Sequence, residues 1–313
     1  METFHANGKL LLTAEYLVMD GALALVLPLK YGQSLRVKSK NSKINRIDWK
    51  AYERNVLWFQ CELNKEKLTT VSTSDNFISS RAEKILRVIH RLKPELFSDT
   101  GSLEFEFCLD YNRFWGWGSS STLINLLSQW AKIDAFDLFF SLFNGSGFDV
   151  AASFTNQPFL YKTNQPKPDI ETVSMNLTFR ENIFFVYLGK KQDSSKEIEE
   201  YRKQYKADGQ LIKRISEISQ DVTLSKNLSQ FEDLMREHEQ LLAVYLKRSS
   251  VQSAMFSDYS DGVVKSLGAW GGDFVMMTCS HGKKIPEEYL RNKSLSICFA
   301  YEEIVKNAPN SIE

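Results

Sequence analysis

The chain has 313 residues, which is enough for two hydrophobic cores of about 150 residues each, and its 43% hydrophobic and 25% charged residues are typical of a globular protein. Lys plus Arg and Asp plus Glu both number 39, so the formal net charge is zero. This balance argues against a nucleic-acid-binding protein, which usually carries a basic excess, and any anionic substrate must be held by local groups.

The hydrophobic pattern of the first half predicts several strands and two helices. Strands are expected at residues 9–12, 23–29, 34–38, 56–63, 102–110 and 158–162. Ser80 and Glu83 have the spacing of a capping box, so we expect a helix to begin there and to end before Pro94. Apolar residues at helical spacing predict a second helix over residues 119–133, and a short helical start is expected at residues 149–153.

The second half follows a segment with the composition of a linker. Residues 163–169 contain two prolines and no apolar residue. We then expect a strand at 183–188, charged helical stretches at 195–218 and 225–247, and strands at 273–279 and 295–301. Strands and helices in both halves predict an α+β protein with two domains, residues 1–165 and 166–313.

One apolar segment could be mistaken for a membrane or export signal. In residues 10–29, Glu15 and Asp20 interrupt the apolar run, and an acidic group is costly in lipid. We therefore expect folded structure there and no membrane association. The four cysteines lie far apart without metal-ligand spacing, which favours buried free thiols over disulfides or metal ligation. Free thiols are typical of a reducing compartment, so we expect a cytoplasmic protein.

A glycine- and serine-rich segment, GWGSSS at residues 116–121, lies between a predicted strand and a predicted helix. Glycines let the backbone approach a phosphate, the helix start offers unpaired N–H groups, and serine hydroxyls can bind a phosphate oxygen or Mg²⁺. The residues that we expect to bind phosphate groups are Gly116, Gly118, Ser119, Ser120 and Ser121. Taken alone the segment is a weak signal, because serine runs are also good helix N-caps.

Four segments, in order, resemble the motifs of the GHMP kinases (galactokinase, homoserine, mevalonate and phosphomevalonate kinases). Residues 8–16 (GKLLLTAEY) resemble the first motif, and residues 20–24 (DGALA) continue it as in mevalonate and phosphomevalonate kinases. Residues 116–121 resemble the second motif, the ATP phosphate loop, and residues 265–273 (KSLGAWGGD) resemble the third. Residues 145–152 (GSGFDVAA) are similar to the segment that carries the catalytic aspartate of mevalonate-type members. The resemblance covers nearly the whole chain.

This resemblance implies a two-domain fold, with an N-terminal domain like domain 2 of ribosomal protein S5 and a ferredoxin-like C-terminal domain. It implies a kinase that uses ATP and Mg²⁺ to phosphorylate a small-molecule acceptor, most like mevalonate or phosphomevalonate kinase of isoprenoid biosynthesis. A bacterial subgroup recognised by a Gly-Tyr-Asp-Ile-Ala motif is also similar. The alternative is a non-catalytic descendant that binds a nucleotide or a partner. The sequence leaves open whether the chain is a monomer or a homodimer.

The resemblance also implies roles for individual residues. Asp149 would accept the proton of the acceptor hydroxyl, and the Lys9 ammonium would stabilise the developing charge; their alternatives are a helix cap and a solvated surface lysine. Ser120 aligns with the magnesium-binding serine, whereas Ser121 stands where the family usually has alanine. For Glu15, inside an apolar segment, a structural and a catalytic role are equally open.

Several positions depart from the family pattern. The expected substrate-facing loop of the third motif is Gly268, Ala269, Trp270, Gly271 and Gly272, in which Trp270 replaces a glycine. Its indole would either wall the acceptor pocket, which we favour, or pack at a domain junction. Leu138 occupies the position of a magnesium-binding glutamate of mevalonate kinases, which puts a second carboxylate ligand in doubt. Lys190 and Lys191 would either bind an anionic group of the acceptor or form a solvated turn.

Overall fold

The computed structural model describes residues 1–41, 43–164, 167–190, 194–268, 270, 272–281 and 284–307. Contacts divide the chain into two compact units that alternate along the sequence. Unit 1 consists of Met1–Gly8, Tyr31–Arg113 and Gly118–Phe154, and unit 2 consists of Lys9–Lys30, Phe114–Trp117 and Thr155–Glu313. These units interleave along the sequence, and the expected division into two consecutive domains at residue 165 stays a prediction.

Unit 1 is built on a mixed sheet with helices packed against it. Its elements are parts of β1 (Glu2–Leu11) and β2 (Ala24–Lys40), then β3 (Arg46–Glu53), β4 (Val56–Asn64), β5 (Thr69–Thr73), α1 (Asn76–Leu92), β6 (Ser102–Leu109), α2 (Ser119–Ala131), α3 (Ala135–Phe140) and α4 (Phe148–Phe154). Residues 33–40 of β2 pair antiparallel with β6, and β6 pairs parallel with β3. The antiparallel partners β4 and β5 complete this part of the sheet.

Alternation along β6 fixes the position of α2. Leu103, Phe105 and Phe107 are buried, while Glu104 and Glu106 between them are half-buried, which is the expected pattern of a strand with one face in the core. The indole of Trp130, near the end of α2, packs edge-on against Phe105 with ring centroids 4.8 Å apart. This contact anchors α2 on the sheet, and α4 packs against α2 in turn.

The first long helix begins earlier than the sequence predicts. The Asp75 carboxylate accepts hydrogen bonds from the N–H groups of Phe77 and Ile78, so α1 begins at Asn76. The helix start expected from the capping box at Ser80 was therefore wrong, because Asp75 caps the helix and Ser80 lies inside it. The helix ends at Leu92, before Pro94, as the sequence predicts.

Unit 2 has its own four-stranded antiparallel sheet in the order β10-β11-β9-β12. Its elements, besides the remaining parts of β1 and β2, are β7 (Phe159–Lys162), β8 (Asp169–Thr172), β9 (Ile183–Tyr187), α5 (Ser194–Gln204), α6 (Gly209–Thr223), α7 (Leu228–Leu246), α8 (Val251–Met255), β10 (Val264–Ser266), β11 (Phe274–Thr278), α9 (Lys284–Asn292), β12 (Cys298–Ala300) and α10 (Tyr301–Ile304). Residues 24–26 of β2 pair with β7, which pairs with β8. Val186, Phe256, Val275 and Met277 belong to the buried core of this unit.

The helical stretch expected at residues 195–218 is two helices. The chain leaves helical conformation after α5, and the Asp208 side chain caps α6 by accepting from the N–H of Leu211. A single continuous helix was therefore wrong, because Asp208 and Gly209 favour a new helix start over continuation. The strands β3, β5, β8 and β10 and the helices α3, α8, α9 and α10 were not expected from the sequence.

Two expectations about the chain as a whole can be compared with the structure. Cys61, Cys108, Cys279 and Cys298 are free thiols; Cys61 and Cys279 are buried, as the sequence predicts, whereas Cys108 and Cys298 are half-buried. Within the described part of the chain, every helix is too short or too polar to cross a lipid bilayer.

Candidate active site

Asp149 lies at the start of α4, and its half-buried carboxylate is held on both oxygens. Gly147 precedes the helix with a φ of +86°, and its carbonyl accepts from the N–H of Ala151 at 3.1 Å. Asp149 Oδ2 accepts a hydrogen bond from the Ser121 hydroxyl at 2.6 Å. Oδ1 accepts from the N–H of Val150 at 3.1 Å. The plane of this carboxylate is therefore fixed relative to α2 and α4.

The start of α2 has the form of an anion-binding site. Gly118, at the N-cap with a φ of +88°, has no side chain to cap the helix, and its carbonyl accepts from the N–H groups of Ser121 and Thr122 at 3.0 Å each. Ser119 is half-buried and Ser120 is exposed. The N–H groups at the start of such a helix and its positive dipole end favour a negatively charged ligand. The geometry fits phosphate oxygens beside the backbone of residues 118–120.

The serines in this turn do not share one environment. Ser120 is exposed, as a ligand-binding role requires. Ser121 is only 3% exposed and donates its hydroxyl hydrogen to Asp149. The neighbouring Thr122 is buried as well and donates to Gln33 Oε1 at 2.7 Å. The partner of Ser121 in the structure is therefore a carboxylate, where the sequence predicted a phosphate oxygen of ATP.

In unit 2, Gly116, the first glycine of the predicted phosphate loop, lies against Asp273, the last residue of the segment that resembles the third motif. Gly116 has a φ of +67°, and a Cβ at this position would lie 1.8 Å from Oδ2 of Asp273. A side chain at residue 116 would therefore require the Asp273 carboxylate to move. In the same unit, the N–H of Lys9 donates to the carbonyl of Trp117 at 3.1 Å. The backbone at Lys9 thus lies beside Trp117.

Trp270, the unusual residue of the third motif, is buried at 6% exposure. Its backbone N–H donates to the hydroxyl of Tyr16 at 3.0 Å, and its indole Nε1–H donates to the carbonyl of Ser249 at 3.1 Å. A buried tryptophan whose N–H is satisfied by the backbone is typical of packing. These contacts favour the packing alternative over the pocket wall expected from the sequence.

The remaining predicted site residues of unit 2 differ in their exposure. Gly268 has a φ of +62° and open space beside it, Gly272 is buried, and Lys190 is exposed. Ala269, Gly271 and Lys191 lie outside the described residues.

Glu15 is completely buried and forms an ion pair with Lys265. Burial raises the pKa of Glu15 to about 7, although the nearby ammonium of Lys265 opposes this shift. His238 Nε2 lies 3.4 Å from Glu15 Oε2 and accepts a hydrogen bond from the N–H of Ala14 at 2.8 Å. Burial lowers the pKa of His238 well below its ordinary value, so the imidazole is neutral. These contacts support the structural alternative for Glu15.

Glu239 extends this buried polar cluster, and burial raises its pKa. Its carboxylate accepts from the N–H of Val251 at 3.1 Å and from the Ser266 hydroxyl at 3.0 Å. Sequence reasoning missed His238, Glu239 and Lys265 as members of one cluster. The available signal was the pair of polar residues at positions 238 and 239, between the apolar positions of α7.

The described residues do not supply a protein-held metal centre. They contain no group of three or more His, Cys, Asp or Glu side chains that could hold a metal ion. Leu138 is fully buried, and the neighbouring Asp137 is exposed. Mg²⁺ commonly binds through few protein ligands together with substrate phosphates. Ser120 is exposed at the start of α2, so it is accessible to such an ion.

No protein-family profile and no curated protein sequence matches this chain. Among solved structures, it is similar to mevalonate kinase from Methanococcus jannaschii, with a TM-score of 0.70, 15% identity and 98% coverage of each chain. It is similar to Streptococcus pneumoniae phosphomevalonate kinase in complex with phosphomevalonate and AMPPNP, with a TM-score of 0.68, 15% identity and coverage of 96% and 99%. It is also similar to Lactococcus lactis galactokinase complexed with galactose, with a TM-score of 0.66, 10% identity and coverage of 98% and 93%.

These similarities extend over nearly the whole length of each chain. The chain therefore has the GHMP kinase fold, and the α+β fold class expected from the sequence is confirmed. At 10–15% identity the likeness concerns the fold.

Proposed function

We propose that this chain is an ATP-dependent kinase that transfers the γ-phosphoryl group to a small-molecule acceptor. The observation that carries the proposal is the hydrogen bond of 2.6 Å between Ser121, in the first turn of α2, and Asp149. It joins a helix start suited to phosphates to a carboxylate suited to accept a proton. The similar structures are kinases for different acceptors, which supports kinase chemistry without selecting one acceptor.

In this mechanism the backbone N–H groups at the start of α2 and the Ser120 hydroxyl bind the phosphates of ATP. Gly116 and Gly118 adopt left-handed conformations that let the backbone approach the phosphates closely. With an alcohol acceptor, Asp149 accepts the proton of the hydroxyl while the hydroxyl oxygen bonds to the γ-phosphorus and the bond from the γ-phosphorus to the ADP oxygen breaks. A phosphate acceptor would bond to the γ-phosphorus through an oxygen of its own phosphate group. Lys9 would stabilise the charge that develops on the transferred group. Mg²⁺ would neutralise phosphate charge, with Ser120 as the protein ligand.

For the acceptor, we propose mevalonate or phosphomevalonate. The support is the resemblance of residues 145–152 to the aspartate segment of mevalonate-type kinases, together with the similarity to solved structures of both enzymes. The free thiols support a reducing compartment, so we propose that the enzyme works in the cytoplasm.

One observation favours the non-catalytic alternative. Leu138 is fully buried at the position where mevalonate kinases have a magnesium-binding glutamate, so the protein offers fewer carboxylates to the ion. A nucleotide-binding protein without phosphoryl transfer would tolerate this loss. The retained Asp149, Lys9 and Ser120 oppose this alternative.

The test is ADP release with Mg·ATP and a panel of mevalonate, phosphomevalonate, homoserine and galactose. We expect release that depends on one acceptor of the mevalonate type, and ATP should raise the melting temperature of the protein. ATP binding without acceptor-dependent ADP release would instead support the non-catalytic alternative. Turnover with galactose or homoserine alone would keep the kinase and reject the mevalonate-type acceptor.

A further inference from the structure

We infer that Ser121 is a positioning residue, whose hydroxyl holds the Asp149 carboxylate in the orientation needed to take a proton from the acceptor. This inference rests on the proposed function, in which Asp149 is the base. It starts from a departure of this chain: Ser121 stands where the resembled family usually has alanine, which cannot donate a hydrogen bond. The hydroxyl lies 2.6 Å from Asp149 Oδ2.

The environment of Ser121 makes this hydrogen bond a strong constraint. The residue is 3% exposed, so water has little access to compete for the hydroxyl. Its backbone is fixed in the first turn of α2, because its N–H donates to the Gly118 carbonyl at 3.0 Å. The torsions about Cα–Cβ and Cβ–Oγ remain, and the contact with Asp149 selects both. A hydroxyl that donates to a carboxylate makes a short, charge-assisted hydrogen bond.

The second donor to the carboxylate completes the constraint. Asp149 Oδ1 accepts from the N–H of Val150 at 3.1 Å, so Ser121 and Val150 together fix both oxygens. A carboxylate has about four lone-pair sites, and two of them are used by these donors. The remaining lone pairs of the carboxylate then have fixed directions, so Asp149 can take the proton of the acceptor hydroxyl without first rotating.

This arrangement also gives adjacent serines separate tasks. Ser120 is exposed at the start of α2, where phosphates are proposed to bind, whereas Ser121 turns inward to Asp149. One helical turn therefore sets the position of the phosphates and the direction of the base. Removal of the Ser121 hydroxyl should slow phosphoryl transfer and leave ATP binding intact.

The first experiment compares Ser121→Ala with wild type at saturating acceptor. We expect kcat to fall about 10–100-fold, the usual size for loss of a group that orients a reacting residue, with the KM for ATP unchanged. Ser121→Thr keeps the hydroxyl and should retain more turnover than Ser121→Ala. The matched control is Ser128→Ala, which removes an equally buried hydroxyl of the same helix that is bonded to the Asn125 carbonyl at 2.8 Å. Its turnover should stay near wild type.

A double-mutant cycle tests whether Ser121 acts through Asp149. In an Asp149→Asn background, Ser121→Ala should cause little further loss of kcat, because the base that it orients is already absent. Multiplicative losses would overturn the inference, as would a Ser121→Ala variant with wild-type kcat or with only a raised KM for ATP. If Asp149→Asn itself keeps full turnover, the proposed base fails first, and the inference falls with it.

The same pair can be tested without activity. Urea unfolding midpoints of Ser121→Ala, Asp149→Ala and the double variant should be non-additive, because both single changes remove the same hydrogen bond. Additive shifts would contradict the hydrogen bond between Ser121 and Asp149. Non-additive shifts together with unimpaired turnover of Ser121→Ala would leave the proposed function standing and reject only the catalytic role of Ser121.

Discussion

Gly116→Ala should destabilise unit 2 more than an ordinary glycine substitution. The added Cβ would lie 1.8 Å from Oδ2 and 2.6 Å from Cγ of Asp273, and no real Cβ makes such contacts. The φ of +67° alone costs a residue with a side chain about 1–2 kcal/mol. Overpacking against Asp273 adds about 1–3 kcal/mol. The free energy of unfolding should therefore fall by about 2–5 kcal/mol.

Gly189 provides the matched control in the same unit. Its φ of +76° is similar, but nothing lies within 4 Å of a Cβ placed there, so Gly189→Ala should cost only the backbone term of about 1–2 kcal/mol. Urea unfolding of both variants measures the difference. Asp273→Ala should relieve the clash, so the double variant with Gly116→Ala should lose less stability than the two single changes summed. Equal losses for the two glycine variants, or no relief by Asp273→Ala, would refute this account of Gly116.

The other predictions concern Ser120, Trp270 and Glu15. Ser120→Ala should raise the KM for Mg·ATP about 10–100-fold, the value of a hydrogen bond to a charged group, without lowering the melting temperature; an unchanged KM would remove Ser120 from the phosphate site. Trp270→Ala should lower the free energy of unfolding by about 3–5 kcal/mol in thermal or urea unfolding and keep the order of acceptor preference. A broader acceptor range at wild-type stability would instead support the hypothesis that Trp270 forms a wall of the acceptor pocket. Burial raises the pKa of Glu15 from 4.5 to about 7, so between these pH values the folded state binds more protons at Glu15 than the unfolded state does. The stability that proton binding at Glu15 contributes is therefore full below pH 4.5 and is lost as the pH rises to 7. Glu15→Gln should remove that decline in urea unfolding followed from pH 5 to 7.5, and parallel profiles for the two proteins would contradict the assignment.

The fold was predictable where local signals and global packing agree. Alternation in residues 102–110 and helical spacing in residues 119–133 identified β6 and α2 nearly to their ends, because one face of each is buried. The start of α1 was not predictable, because Ser80 and Asp75 can both cap a helix and only the observed hydrogen bonds identify Asp75 as the cap. The break between α5 and α6 was missed because Asp208 lies among many other charged residues, from which the sequence alone does not distinguish a helix cap.

The candidate site was predictable in its parts and not in its contacts. Order and spacing of the motifs singled out Asp149 and the serine run, but no pattern in a sequence tells which of three adjacent serines turns inward. Ser121 does so because its position in the helical turn faces α4. His238 was given no role, as its partners Ala14 and Glu15 are more than 200 residues away in the chain. Long-range contacts of this kind depend on tertiary packing.

The central claim is that this chain transfers the γ-phosphoryl group of ATP with Asp149 as the base. Its most direct test is the rate of acceptor phosphorylation by wild type, Asp149→Asn and the control Asp137→Asn, whose carboxylate is exposed. We predict wild-type rates for Asp137→Asn and a fall of roughly 10²–10⁴-fold for Asp149→Asn, with ATP binding retained. Equal phosphorylation rates for Asp149→Asn and wild type would contradict the claim.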